Sequence, residues 1–194
     1  MQILLGLYGA MEDIAIDDAR YQFEVNLFGL ARLTQLLLPA MRARGRGRII
    51  NISSMGGKVY MPLGSWYHAS KHALEGWSDC LRLELKAFGI DVVVIEPGAI
   101  ATEFGDVMVG PMLQRSGDGA YGRLANKLAT ATGETYASSK ASRPQVIVDL
   151  LLKALRARRP ATRYVGGLYA RPMIFIRKWL GDRIFDRAVM SMVK

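Results

Sequence analysis

The sequence predicts an α/β fold, a parallel β-sheet with helices on both faces. Three observations lead there. Two short β-branched runs, Arg48–Ser53 and Asp91–Glu96, have the unbroken apolar character of strands buried on both sides. A long helical pattern lies between them. A capped helical segment and a third short strand follow, and elements alternating in this way specify a parallel sheet covered by helices.

Taken in order, apolar residues recur at helical spacing from Asp17 to Arg42 (Phe23, Leu27, Leu30, Leu37), with Asp17 and Asp18 placed to cap and charge the N-terminus. Gly45 and Gly47 end this helix and the first strand begins. A second helix is expected from Ser65 to Phe88, stopped by Gly89, and Pro97 stops the second strand. Residues 99–141 are rich in Gly, Ser, Thr and Ala without a strong period, which predicts a mobile excursion over a site. Ser142, Pro144 and Gln145 form a capping-box start to a helix over 145–158. Thr162–Val165 offers the third strand, and one last helix is expected from Arg171. No internal repeat or linker divides the chain.

With 194 residues, 51% of them hydrophobic and 22% charged, the composition is globular, neither fibrous nor low-complexity. A single cysteine, Cys80, forms no internal disulfide, which favours a reducing cytoplasmic setting and excludes a stapled scaffold or a cysteine-rich metal site. Cys80 itself is expected in the core face of its helix. No apolar run reaches the length of a membrane span. The net charge of +9 invites a nucleic-acid partner, but basic and acidic residues balance up to residue 152, so the excess belongs to the C-terminal tail. That distribution argues against nucleic acid. The basic tail, interleaved with residues such as Phe175, Trp179 and Phe185, suits peripheral contact with an anionic membrane surface. It equally suits a solvated helix whose apolar face packs on its own domain.

The chemistry concentrates between Asn26 and Thr102. Tyr67 and Lys71 are four apart on a helix, so they share a face. A free phenol ionises at a pH of about 10, too high for a base at neutral pH, and a nearby ammonium favours its ionised form. Alone, this spacing also describes two solvated surface residues. Ser54, at the C-terminal end of the first strand, stands where open α/β sheets hold ligands, and its hydroxyl could polarise a carbonyl. His68 and His72 are four apart too, but no third ligand accompanies them, so no metal is expected. Glu96, at the end of its strand, is expected to be structural. Met55, Met61, Met108 and Met112 suit either an apolar substrate pocket or plain packing.

These residues resemble the short-chain dehydrogenase/reductase family over nearly the whole chain. The resemblance rests on Tyr67-His-Ala-Ser-Lys71, on Asn51-Ile-Ser-Ser54 before it, on Pro97-Gly98-Ala-Ile-Ala-Thr102 after it, and on Phe23-Glu-Val-Asn26 upstream. It implies a Rossmann-type fold and an oxidoreductase that uses NAD or NADP to interconvert a secondary alcohol and a ketone or aldehyde. Tyr67 would exchange the proton, Ser54 would hold the substrate oxygen, Lys71 would lower the tyrosine pKa and bind the nicotinamide ribose, and Asn26 would support a water relay to Lys71. Pro97, Gly98, Ile100 and Thr102 would line the nicotinamide. The text around Leu74–Leu85 is similar to the hydroxysteroid and retinol dehydrogenase-like branch, which implies a small lipophilic substrate. Helices 17–42 and 65–88 would pair the protein with a second copy.

One departure accompanies the match. Family members open with a strand, a glycine-rich turn and a helix for the cofactor diphosphate, and neither Gly-x-x-x-Gly-x-Gly nor Asn-Asn-Ala-Gly precedes Gly6 here. Residues 1–194 are therefore expected to form a single partial domain, the N-terminal βαβ portion missing, with residues 171–194 as a basic amphipathic C-terminal helix within it. Such a chain would bind NAD or NADP weakly, because the helix N-terminus that receives the diphosphate is lost. The alternative is a non-catalytic remnant acting as a dimerisation module.

Overall fold

The computed structural model describes residues 5–137 and 141–193. Residues 1–4 of the Met1–Leu5 start, and residues 138–140 of the 99–141 stretch, lie outside the described residues.

Three strands, β1 (Gly47–Ile52), β2 (Ile90–Pro97) and β3 (Arg163–Gly166), form a parallel sheet in the order β1-β2-β3. Gly47 pairs with Ile90 and Ile52 with Ile95, while Val94 pairs with Arg163 and Pro97 with Gly166. All three predicted strands are present. β2 is central and buried on both faces, which is why its sequence is a continuous apolar run. On one face Val92 and Ile90 pack with Leu81 and Leu85 of α3 (Ser65–Leu85); on the other Val93 and Ile95 pack with Ala154 of α6 (Gln145–Arg156) and Tyr164. Each such aliphatic side chain contributes roughly 1.5–3 kcal/mol by leaving water. Helices thus cover both faces, as predicted.

α3 ends in a short 3-10 turn, Lys86–Phe88, and Gly89 stops it with a φ of 66°, a left-handed backbone that glycine adopts without strain. The first long helix is interrupted. It runs as α1 (Ile16–Phe23), a π-helical turn over Glu24–Phe28, and α2 (Gly29–Ala43). Neither Asp17 nor Asp18 caps it: Ala15 is the cap residue, and Asp17 sits in the first turn, 2.7 Å from Arg20 Nη1. Its buried face is also not the apolar one. Ala19, Gln22, Asn26 and Thr34 are buried, whereas Leu33, Leu36 and Leu37 are exposed.

Between residues 104 and 137 two helices stand where a mobile excursion was expected. α4 (Phe104–Ser116) and α5 (Gly122–Ala137) form there despite Gly110 and Pro111, because Met108, Met112, Ala125 and Leu128 bury against Tyr8, Leu63 and Tyr67. The capping box before α6 does not form. Ser142 instead spends its backbone on Ala99 and Ala101, joining the segment to the end of β2, and Gln145 bonds Asp149. The final helix is two, α7 (Ala170–Trp179) and α8 (Asp182–Met192), broken at Gly181. Met173, Phe185 and Val189 pack into the chain's own core beneath Val59, so that part of the tail is structural. Cys80 is exposed, because it lies on the outer side of α3. Among the described residues no helix is long and apolar enough to cross a membrane.

Candidate active site

The C-terminal ends of β1 and β2 and the N-terminal half of α3 converge on one region. β1 delivers Ser54, whose hydroxyl accepts from Gly56 N at 3.0 Å and caps the tight turn over Met55–Gly57. α3 begins after Leu63, which takes a left-handed backbone (φ 62°) rare for a leucine and accepts from Gly9 N through its carbonyl. One turn in stands Tyr67. Its hydroxyl is hydrogen-bonded to the Ser54 hydroxyl, so the two groups proposed to hold one substrate oxygen are in contact.

Lys71 lies a turn further, fully buried. Its Nζ reaches Ile52 O at 3.3 Å and sits 6.0 Å from the centre of the Tyr67 ring. Burial lowers the ammonium from its ordinary 10.5 to about 8, partly opposed by the Glu75 charge. Burial also governs the phenol, raising Tyr67 to about 12 although the Ser54 hydrogen bond pulls the other way. The expected lowering by Lys71 is therefore absent from this geometry: at that separation desolvation outweighs the ammonium.

Asn26 occupies the π turn and is fully buried. Its amide does not reach Lys71 directly. Nδ2 donates to Leu5 O (3.0 Å) and Ser70 Oγ (3.2 Å), and Oδ1 accepts from Leu5 N (3.1 Å). Ser70 in turn donates to Tyr67 O at 2.8 Å, so Asn26 is tied to the tyrosine through one hydroxyl. Gln22, one turn earlier, clips the same segment from Leu5 O to Leu7 N.

Pro97, Gly98, Ile100 and Thr102 continue from β2 at the same end of the sheet. Gly98 N donates to Gly166 O and Ala99 N to Leu168 O. A Cβ on Gly98 would lie 2.1 Å from Leu168 O, so only glycine allows the two strand ends to close here. Ile100 is half-buried beside Ser142, and Thr102 is exposed, its hydroxyl between Ile100 O and Phe104 N.

Three contributors escaped sequence reasoning. Tyr8 stacks on Tyr67 with ring centres 5.4 Å apart, and Phe104 closes from the other side at 5.7 Å. Tyr8 stands in irregular chain before the first helix, where no periodicity marks it. His68 is a latch: Nε2 accepts from Met61 N (3.1 Å), so Nδ1 carries the proton that faces Gly56 O (3.0 Å). Burial drives its pKa down to about 4. His72 bonds His68 O, and among the described residues no three His, Cys, Asp or Glu side chains gather to hold a metal. Of the four methionines, Met108, Met112 and Met61 pack around Tyr67 and Leu63, while Met55 joins the cluster of Val59 and Met173.

Comparison with known proteins gives the family. The family profile described as short chain dehydrogenase matches residues 6–109. The oxidoreductase YbbO of Escherichia coli is 35% identical over 186 residues, covering 96% of this chain and 64% of that protein. Mouse 17-beta-hydroxysteroid dehydrogenase type 1 is 36% identical over 162 residues, 82% of this chain and 46% of its own. Among solved structures, a short-chain dehydrogenase from Streptomyces avermitilis matches with a TM-score of 0.71 at 32% identity, covering 95% of this chain and 61% of that one. The chain spans about two thirds or less of the length of these relatives. With the fold, the polar constellation and the family profile in agreement, the chain belongs to the short-chain dehydrogenase family.

Proposed function

We propose that the protein is an oxidoreductase that interconverts an alcohol and its carbonyl compound, a secondary alcohol and a ketone or a primary alcohol and an aldehyde, with NAD or NADP. The observation that carries this is the Ser54–Tyr67 hydroxyl contact beside a buried Lys71. Bound nicotinamide cofactor would supply the hydride acceptor or donor. The residues present fit such a group: among the described residues Lys71 Nζ has one long hydrogen bond, to Ile52 O, leaving donors for ribose hydroxyls. Pro97, Gly98, Ile100 and Thr102 lie at the strand end where a nicotinamide would rest. In the oxidative direction Tyr67 Oη takes the alcohol proton while Ser54 Oγ holds the substrate oxygen; in the reductive direction Tyr67 returns it. Drawing the Lys71 ammonium towards the phenol is what brings Tyr67 down from about 12 to a useful range.

Tyr67→Phe tests the assignment. It should abolish turnover and leave dinucleotide affinity nearly unchanged, because the hydroxyl serves proton transfer. Retained turnover would overturn it. A non-catalytic module is the weaker alternative, since such a module has no use for a lysine, an asparagine and two glutamates buried at a cost in stability.

Three finer assignments belong to the same proposal. The substrate is lipophilic, supported by Met61, Leu63, Phe104, Met108 and Met112 around Tyr67. Two copies pair through helices 17–42 and 65–88, supported by the exposed Tyr21, Phe28, Leu33, Leu36 and Leu83. The α7–α8 corner, with Trp179 65% and Phe175 58% exposed beside Arg177, Lys178 and Arg183, makes peripheral contact with an anionic membrane from the cytoplasmic side.

A further inference from the structure

One turn beyond Lys71 on α3, Glu75 is 3% exposed, and Glu96 at the end of β2 is 1% exposed. Every cation that meets Glu75 meets one of its oxygens. Lys58 Nζ and Arg163 Nη2 both lie 3.0 Å from Glu75 Oε2, and Arg163 Nε donates to that same oxygen at 3.1 Å. Arg163 Nη2 also donates to Asp79 Oδ2 at 2.7 Å. Glu96 Oε1 lies 3.0 Å from Arg163 Nε, but the single Nε proton is directed at Glu75. Two buried carboxyl oxygens, Glu75 Oε1 and Glu96 Oε1, are therefore left without a hydrogen-bond donor among the described residues. The two carboxyls themselves are within hydrogen-bonding reach of one another. Two bare carboxylates at that separation repel, and each buried oxygen without a donor costs stability.

We infer that Glu75 and Glu96 share one proton, forming a buried acid–carboxylate pair that sets the negative charge facing Lys71. A single proton gives both oxygens a hydrogen bond and removes the repulsion. The cations fix which member is which. Lys58 and both arginine nitrogens converge on Glu75, so Glu75 keeps the charge and Glu96 carries the proton; burial and the Glu75 charge hold Glu96 up at about 7. The charged groups around the pair are Lys58 from the turn after β1 and Arg163 from β3, which act on both members, Lys71 from α3, which feels the pair through Glu75, and Asp79 from α3, which is held by Arg163. When the shared proton leaves, the pair passes from one negative charge to two, and the ammonium of Lys71 becomes easier to keep. Glu75 and Glu96 are thus positioning residues for Lys71, which rests on the proposed role of Lys71, although the proton pair itself does not.

The experiment is a carbon-13 NMR titration of the full chain labelled at glutamate carboxyls and lysine Cε. The wild type should show a glutamate that titrates in the neutral range, and Glu96→Gln should lose it, the glutamine amide standing in for the protonated acid. Glu75→Gln should lower the Lys71 midpoint by about one pH unit, or tenfold in proton affinity, and Glu96→Gln should lower it by less, because Glu75 is the member whose charge Lys71 feels. Should Glu75→Gln not fold, the isosteric Glu96→Gln supplies both readouts. A neutral-range titration that persists in Glu96→Gln, or an unmoved Lys71 midpoint, overturns the inference. Neither readout needs turnover, so a failure of the proposed activity registers separately, in Tyr67→Phe.

Discussion

Replacing Lys71 by methionine should make the protein more stable at neutral pH. The ammonium has no exposure, and burial has brought it from 10.5 to about 8. At about 1.4 kcal/mol per pH unit, holding the charge inside costs about 3 kcal/mol at pH 7. Against this stands one hydrogen bond to Ile52 O at 3.3 Å, which contributes about 1 kcal/mol. Methionine has similar length and carries no charge, so a net gain of about 2 kcal/mol is expected at pH 7. The gain must vanish on the alkaline side. A base with a depressed folded pKa binds fewer protons folded than unfolded between about 8 and 10.5, so the wild type gains stability as pH rises through that window. By pH 9.5 the wild type recovers about 2 kcal/mol, and the two proteins should unfold at nearly the same urea concentration. Taking the difference between variant and wild type at each pH cancels the titrating groups that do not interact with Lys71 and leaves the ammonium together with the Glu75 charge beside it. A Lys71→Met protein less stable at pH 7, or a difference independent of pH, would refute the reasoning and show that the ammonium is better solvated than its burial implies.

Two other outcomes are expected. His68, neutral and latched between Met61 N and Gly56 O, should titrate near pH 4 by NMR; because it binds fewer protons folded than unfolded between 6.5 and about 4, its latch should lose about 3 kcal/mol as pH falls through that window, and His68→Gln should flatten that acid limb. The full chain should sediment with phosphatidylserine-containing vesicles in low salt and be released as salt shortens the screening length; equal binding to neutral vesicles would remove the electrostatic part of the membrane proposal.

The strands and α3 were legible because local signals agreed there: β-branched runs, a glycine stop and a proline stop all coincide with the observed boundaries. The candidate site residues could be picked out because they stand at fixed spacing on these elements, and the structure brings Ser54, Tyr67 and Lys71 to one end of the sheet. α4 and α5 were not. Gly110 and Pro111 inside α4 lower its intrinsic helicity by about 1 and 3 kcal/mol relative to alanine, and what offsets this is tertiary, the burial of Met108 and Met112 against Tyr8 and Tyr67. Nor does any periodicity reveal Gln22, Glu75 or the latch at His68, since a polar residue buried by a long-range partner looks in sequence like one facing water. Helical spacing located the first long helix but misplaced its inner face, because the apolar residues it counted include the exposed Leu37.

The π turn explains how that helix can carry a polar inner face. Gln22, Asn26 and Thr34 are buried at steps of four or eight residues, and each four-residue step overshoots a turn of a regular helix by about 40°. Over the twelve residues from Gln22 to Thr34 the overshoot would reach about 120°, carrying Thr34 onto the flank. In the turn over Glu24–Phe28 the Gly29 N–H reaches back five residues to Glu24 O, which takes up one residue and reduces the mismatch to about 20°. The widened turn also holds Asn26, whose amide needs to meet a chain segment on one side and Ser70 on the other. A regular helix of the same sequence would set Gln22 and Asn26 on segment 5–7 and lose Thr34, or keep Thr34 and turn Asn26 away from the tyrosine helix. The irregularity is therefore what lets one helix both pack along its length and present a side-chain amide to α3, and it follows from burying polar residues at a spacing that no regular helix matches.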